Sequence, residues 1–397
     1  MPTAATSKLV SDRINRIELS ATLAVVNEAT ALKAKGVDLV DFGAGEPHFS
    51  TPRHIKDAAI DALNKDCTKY TNVAGIPELR EGIVKRHAED LGSAYVAHEC
   101  MASTGGKLAL FNAVQTLVDH GDEVIIPVPY WVSFKDIVQY AGGVPVYVET
   151  DEEQGFRLTA AMIERAITSR TRAIILNTPN NPSGAVMSTD DLRAVVKLAH
   201  ERGVYVIADE CYVYLNYAGA PVSAASFPEY KEHVVVIGSL SKTYAMTGWR
   251  MGYALAPQPL ITAMTKLQSQ STSSSNHFVQ KAAVAAVTGP QACVEAMRAE
   301  YITLRDRAVA GLRAIPGLKC QMPHGAFYVY PNVTAYLGKS GINGVADIAK
   351  RLLHEAHVVT VPGPGFGTQD HIRLSYAVSE HDLERGLERM TKWFAAL

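Results

Sequence analysis

The stretch Val204-Tyr205-Val206-Ile207-Ala208-Asp209 decides the reading of the fold. Its first five residues are apolar without interruption, and three of them are β-branched. A half-solvated strand alternates apolar and polar positions, so an unbroken run implies a strand covered on both faces. Comparable strand-like runs occupy 123–127, 144–148, 172–176, 234–238 and 251–255. Between them lie helical stripes: Leu108, Phe111, Val114, Leu117 and Val118 form one, and Leu192, Val195, Val196 and Ala199 another. Strand and helix in alternation indicate an α/β fold with a mostly parallel central sheet and a site at the strand ends. After a helical region at 291–314 the rhythm changes. A strand at 326–330, a helix near 345–356, a strand at 371–376 and a closing helix from Glu380 read as a smaller α+β domain.

A chain of 397 residues exceeds one ordinary hydrophobic core, so two domains are expected. With 47% hydrophobic and 20% charged residues the composition is that of a soluble globular protein. A formal net charge of -2 gives no reason to expect a nucleic acid or an anionic membrane as partner. Cys67, Cys100, Cys211, Cys293 and Cys320 are odd in number and lack CxxC spacing, which favours a reducing compartment over a disulfide framework or a zinc site. No apolar run approaches the ~20 residues of a membrane span. The N-terminus lacks the pattern of a secretory leader, so a cytoplasmic location is expected.

The chemistry concentrates around the end of the opening strand. Thirty-three residues beyond Asp209 stands Lys242, in Gly238-Ser239-Leu240-Ser241-Lys242-Thr243-Tyr244-Ala245-Met246-Thr247-Gly248-Trp249-Arg250. An ε-amine attacks a carbonyl only when unprotonated, so such a lysine needs partial burial and cationic neighbours. Ser239, Ser241 and Arg250 supply hydroxyl and guanidinium donors suited to a phosphate dianion. Ser103-Thr104-Gly105-Gly106-Lys107 opens a helix, where free N–H groups and the dipole favour an anion; neither a Walker loop nor a dinucleotide fingerprint is present. Taken singly, each feature has a plainer reading. Asp209 could be a helix cap, Tyr212 packing, Asn180-Asn181-Pro182-Ser183-Gly184 a good turn, and Arg373 a solvent-facing residue on a strand.

In this order, the motifs resemble the pyridoxal-phosphate enzymes of the aspartate aminotransferase family, class I and fold type I. The resemblance runs from about Ser20 to the C-terminus and is strongest to the bacterial branch acting on aspartate and, in some members, prephenate. It implies a large cofactor-binding domain over 48–290 and a small domain formed by 1–47 with 291–397. The implied cofactor is pyridoxal 5'-phosphate, joined to Lys242 as a Schiff base. Asp209 would pair with its ring nitrogen, Asn181 and Tyr212 with its phenolic oxygen, and Trp131 would stack on the ring. The phosphate would fall to Gly105, Gly106, the Lys107 backbone, Ser239, Ser241 and Arg250, with Tyr70 reaching it from a neighbouring subunit. A homodimer with shared active sites follows from that last role.

By the same resemblance, Arg373 would clamp the substrate α-carboxylate, with Trp131, Asn181 and the Gly45 backbone lining the pocket. Lys107, Ser20 and Thr22 would meet the distal carboxylate, and the loop 361–367 would border the site. The implied reaction is ping-pong transfer of an amino group from aspartate or glutamate to a 2-oxo acid such as 2-oxoglutarate. Prephenate or aromatic transamination, β-elimination, and cofactor binding without turnover are the alternatives.

Overall fold

The computed structural model describes residues 10–18 and 21–397; Ser20 and the side chain of Thr22 lie outside the described residues. In chain order the strands are β1 Val40–Asp41, β2 Cys100–Ser103, β3 Glu123–Val128, β4 Val144–Glu149, β5 Thr171–Asn177, β6 Tyr205–Asp209, β7 Val234–Ser239 and β8 Gly252–Leu255. They continue with β9 Tyr328–Val329, β10 Val358–Val359, β11 Val361–Pro362 and β12 Ile372–Ser375. Seven form the central sheet in the order β2-β8-β7-β6-β5-β3-β4.

The pairs β4/β3, β3/β5, β5/β6 and β6/β7 are parallel, while β8 runs antiparallel to both β7 and β2. The sheet is therefore mostly parallel, as the alternation implies, with reversed pairing at one end. Strand β2 escapes the sequence reading because Cys100-Met101-Ala102-Ser103 contains neither a β-branched nor an aromatic residue.

The opening stretch behaves as its composition dictates. Val206 and Ala208 enter one apolar cluster while Ile207 enters another; Val234 and Val236 likewise oppose Val235 and Ile237. Helices Arg53–Asn64, Pro77–Leu91, Thr189–Glu201 and His277–Thr288 contribute to the first cluster, and Gly106–Leu117, Ser133–Ala141 and Gln258–Ser269 to the second. The stripe Leu192, Val195, Val196 and Ala199 is buried throughout. In helix Gly106–Leu117 the buried face shifts: Ala109, Leu110, Ala113 and Val114 are covered, whereas Leu108 and Phe111 are half-buried. Small residues face the sheet there because the backbone comes close. A Cβ on Gly252 would stand 2.3 Å from the Gly106 nitrogen.

The C-terminal part carries a second sheet, β11-β12-β9, antiparallel throughout. N-terminal strand β1 pairs in parallel with β10, Val40 opposite Val358. Helices Ala292–Arg313 and Glu380–Ala395 pack on this part, with Phe42, Tyr301, Leu312, Trp393 and Phe394 in one cluster. Ser379 caps the last helix by accepting from the Asp382 N–H at 3.1 Å. Among the described residues, no helix is long and apolar enough to cross a membrane.

Candidate active site

The parallel register sets Asn177, at the end of β5, opposite Asp209, at the end of β6. Asn177 ties two segments together: its Nδ2 donates to the Asp209 carbonyl at 2.9 Å, and its Oδ1 accepts from the Asn181 N–H at 2.8 Å. The Asp209 carboxylate is buried and accepts from the Cys211 N–H at 3.2 Å. Burial pushes its pKa up to about 6, a charge on Glu210 would act in the same direction, and Cys211 and Lys242 oppose it. Asp209 forms no ion pair among the described residues, so it is neither a surface acid nor a saturated cap.

Lys242 sits in the short helix Leu240–Thr243, where Ser239 at the N-cap accepts from the Ser241 N–H at 3.2 Å. Its half-buried amine donates to the Gly45 carbonyl and lies 5.6 Å from the centre of the Phe327 ring. Burial lowers the amine to about 8; Arg373 and Arg250 act in the same direction, while Cys211 and Glu46 oppose it. Those are the conditions for an ε-amine that reacts near neutral pH.

Arg250 lies at the rim with φ +55°, a left-handed backbone that an L residue adopts only when its surroundings hold it there. Its Nη1 donates to the Thr247 carbonyl at 2.8 Å, and its guanidinium rests against Gly105. Gly105 has φ +83°, and a Cβ there would fall 2.5 Å from Arg250 Nη2, so only glycine suits this position. Gly105 caps helix Gly106–Leu117 without a side-chain hydrogen bond, leaving the first N–H groups to an anion. An open cleft of about 550 Å³, lined among others by Glu46, Thr104, Thr247, Arg250 and Asn276, adjoins this corner.

Arg373 is 2% exposed, which removes the reading of a solvent-facing strand residue. Its Nη1 donates to Asn181 Oδ1 at 3.0 Å and its Nη2 to the Gly43 carbonyl at 2.8 Å. The guanidinium is sandwiched near Tyr328 (4.5 Å) and Phe366 (5.0 Å), while its Nε is buried without a partner. Phe366 comes from the loop 361–367, which therefore borders the site as expected. Tyr212 exchanges a hydrogen bond with Tyr328 through their hydroxyls, 2.8 Å apart, and burial pushes the Tyr212 phenol well up.

Lys107 reaches over Trp131, its ammonium 4.7 Å from the ring centre; partial burial, then Arg250, lowers its proton affinity. Trp131 is half-buried, edge-on to Phe134. Tyr70 touches none of these groups and is 92% exposed, an extreme for a tyrosine.

The sequence reading missed Tyr328, which touches Tyr212 and Arg373 and would lie 2.7 Å from a Cβ on Gly45. It sits inside an apolar run and reads as core; a tyrosine hydroxyl needing a buried partner was the available signal. Asn177 and the Gly43 carbonyl were also missed, since their roles exist only across the fold.

A half-buried lysine lowered toward neutrality, a buried acid without an ion-pair partner among the described residues, and an arginine against an uncapped helix start converge at the ends of an α/β sheet. That is the arrangement of an aldehyde cofactor enzyme. The family model described as aminotransferase class I and II matches residues 37–390, and the chain belongs to that family. It is 45% identical over 389 residues to an aspartate aminotransferase of Geobacillus stearothermophilus, covering 98% of this chain and 99% of that one. It is 41% identical to a probable aspartate/prephenate aminotransferase of Aquifex aeolicus, covering 97% and 98%. The solved aspartate aminotransferase from Thermus thermophilus with maleate superimposes with a TM-score of 0.92 at 43% identity, covering 96% and 99%.

The enzyme's cofactor is pyridoxal 5'-phosphate, and the residues present fit it. Asp209 is a buried acid suited to a cationic ring nitrogen, Lys242 an amine lowered toward neutrality, and the Gly105–Arg250 corner sets a guanidinium beside an uncapped helix start, which suits a phosphate.

Proposed function

We propose that the protein is a cytoplasmic, homodimeric aspartate aminotransferase. It moves the amino group of aspartate or glutamate to a 2-oxo acid such as 2-oxoglutarate in two half-reactions. The observation that carries this reading is the buried Arg373, with one unpartnered nitrogen, held in the same site as the lowered Lys242 amine. The relatives named for aspartate support the substrate class.

When bound, pyridoxal phosphate supplies an electrophilic carbon and a ring that accepts the electron pair left as the substrate Cα–H bond breaks. Lys242, its amine lowered to about 8 chiefly by burial, gives up its proton more readily near neutral pH than an exposed lysine does. With the cofactor bound, its Nζ would yield its place to the incoming amine, take the proton from the substrate Cα and return it to the cofactor's C4′. Asp209 holds a proton at the ring nitrogen. Asn181, whose Oδ1 is engaged by Arg373, has its amide Nδ2 to donate to the phenolic oxygen, and Tyr212 donates there as well.

Arg373 orients the substrate through its α-carboxylate, and Gly45 and Trp131 bound the pocket. Lys107, with Ser20 and Thr22, meets the distal carboxylate. Gly105, Gly106, the Lys107 N–H, Ser239, Ser241 and Arg250 hold the phosphate, with Tyr70 reaching across to the phosphate site of a second copy. The exposure of Tyr70 supports that reach. The division into 48–290 and 1–47 with 291–397 is supported by the β1/β10 pairing, which joins the N-terminal segment to the C-terminal part.

Single-turnover absorbance of the cofactor-loaded protein tests the reading, with aspartate, glutamate, phenylalanine, alanine and cystathionine as donors. Conversion to the amino form should be fastest with the two acidic substrates and reversed by 2-oxoglutarate, with prephenate tried as a second acceptor. Release of pyruvate and ammonia would mark a lyase, and no conversion with any donor would leave a binding protein.

A further inference from the structure

Directly behind Asp209 the chain buries a second acid. Glu210 is 3% exposed, and its carboxylate turns to residues 223–224, where Oε1 accepts from Ser223 Oγ and the Ala224 N–H at 2.8 Å each. Oε2 has no hydrogen-bond partner and faces His87 Nε2 at 3.7 Å. His87, on helix Pro77–Leu91, is 1% exposed, and neither of its ring nitrogens has a partner.

The groups around this pair do not neutralise it. Tyr253 stands edge-on to the His87 ring at 6.5 Å, and burial pushes its phenol and those of Tyr95, Tyr214 and Tyr244 upward, so all stay uncharged. The Cys100 thiol is raised to about 12 by the same cause, and burial pushes that of Cys211 well up as well. Arg86 is engaged by Asp90 at 3.3 Å and Lys231 by Glu99 at 3.0 Å, while Glu232 adds a further negative charge near Tyr95. An ionised Glu210 beside an uncharged imidazole would be a buried charge with one side unsatisfied, which folded proteins avoid.

We propose that His87 and Glu210 share a single proton, so that the pair carries no net charge, and that His87 is thereby a positioning residue for Asp209. It removes from behind Asp209 a negative charge that would weaken its hold on the cofactor's ring nitrogen. Neutrality holds whichever of the two residues carries the proton. A like charge in a buried setting raises an acid's proton affinity, and a Glu210 charge left uncompensated would act on Asp209 in that sense. Asp209 faces the cofactor and Glu210 faces His87, so consecutive acids at one strand end are kept electrically distinct. The inference rests on the reading of Asp209 as partner of the ring nitrogen.

The test is the pH midpoint of the visible absorption band of the bound cofactor, measured on cofactor-loaded variants whose folding is checked by thermal melting. Asp209→Asn sets the direction of the shift. His87→Gln should move the midpoint the same way, by about one unit. Adding Glu210→Gln should bring it back to the wild-type value, a coupling that lost packing would not produce. Glu210→Gln alone should leave the midpoint in place, because it exchanges one neutral arrangement for another. That variant keeps the test decisive should His87→Gln fold poorly. A shift for Asp209→Asn with none for His87→Gln, or a shift for Glu210→Gln opposite to that of Asp209→Asn, overturns the inference alone. No shift for Asp209→Asn overturns the reading of Asp209 and this inference with it.

Discussion

Two arginines mark the two ends of the site, and they are held in opposite ways. Arg250 is exposed, makes one backbone hydrogen bond, and owes its place to its own left-handed φ and to a glycine that leaves it room. Arg373 is buried, bonded to Asn181 and to the Gly43 carbonyl, and flanked by two aromatic rings from different segments. The first is positioned by local backbone geometry and the second by the tertiary fold. On the roles proposed for them, an anion bound throughout turnover tolerates a solvated donor, whereas a substrate carboxylate that must be oriented for proton removal gains from a rigid, dry one.

Lys242 stands between the two ends, and its loss is expected to be the largest effect. Lys242→Ala should lower turnover by at least about 10⁴-fold with cofactor still bound, measured by single-turnover absorbance. A smaller loss would mean that positioning by the arginines, not proton transfer, dominates the rate. Next comes Arg373→Lys, which keeps the charge but loses the fork: kcat/KM for aspartate should fall about 100-fold while cofactor affinity stays unchanged. Arg250→Lys should show the reverse pattern, weakening cofactor affinity about tenfold by equilibrium dialysis with little change in KM. If both variants lost cofactor affinity equally, the two ends would not be independent.

The smallest effects lie in stability. The folded pKa of Lys242, about 8, lies below its unfolded value, so the unfolded chain binds more protons between the two and stability rises as pH climbs from about 8 toward 10.5. Lys242→Gln should therefore melt higher than the wild type at pH 7 without cofactor, the gap closing above pH 8. Asp209 has the opposite sense. Its folded pKa is raised to about 6, so stability falls as pH rises through the window from about 4 to 6, and Asp209→Asn should remove that slope.

The contrast between the arginines also tracks what could be read in the residues. Five of the seven central strands announce themselves through β-branched runs; β8 shows only the apolar run 251–255 around Tyr253, and β2 has neither a β-branched nor an aromatic residue. The reversal of β8 depends on how 240–251 turns back on the sheet, which periodicity does not encode. Lys242 and Arg250 share the run 238–250 with Ser239 and Ser241, so their proximity was legible there. Tyr328 looked like core, and His87 and Glu210 lie 123 positions apart with nothing in either neighbourhood to link them.

By itself the sequence determined the alternation of buried strands and helices, the lysine among its hydroxyls, and the acid ending a buried strand, because each depends on spacing within a few residues. Only the tertiary structure decided that Arg373 is dry, that Asn177 joins Asp209 to Asn181, and that Glu210 meets a histidine. Those outcomes depend on burial and on contacts between distant segments, and the energy of a charge is set by what surrounds it rather than by what precedes it in the chain.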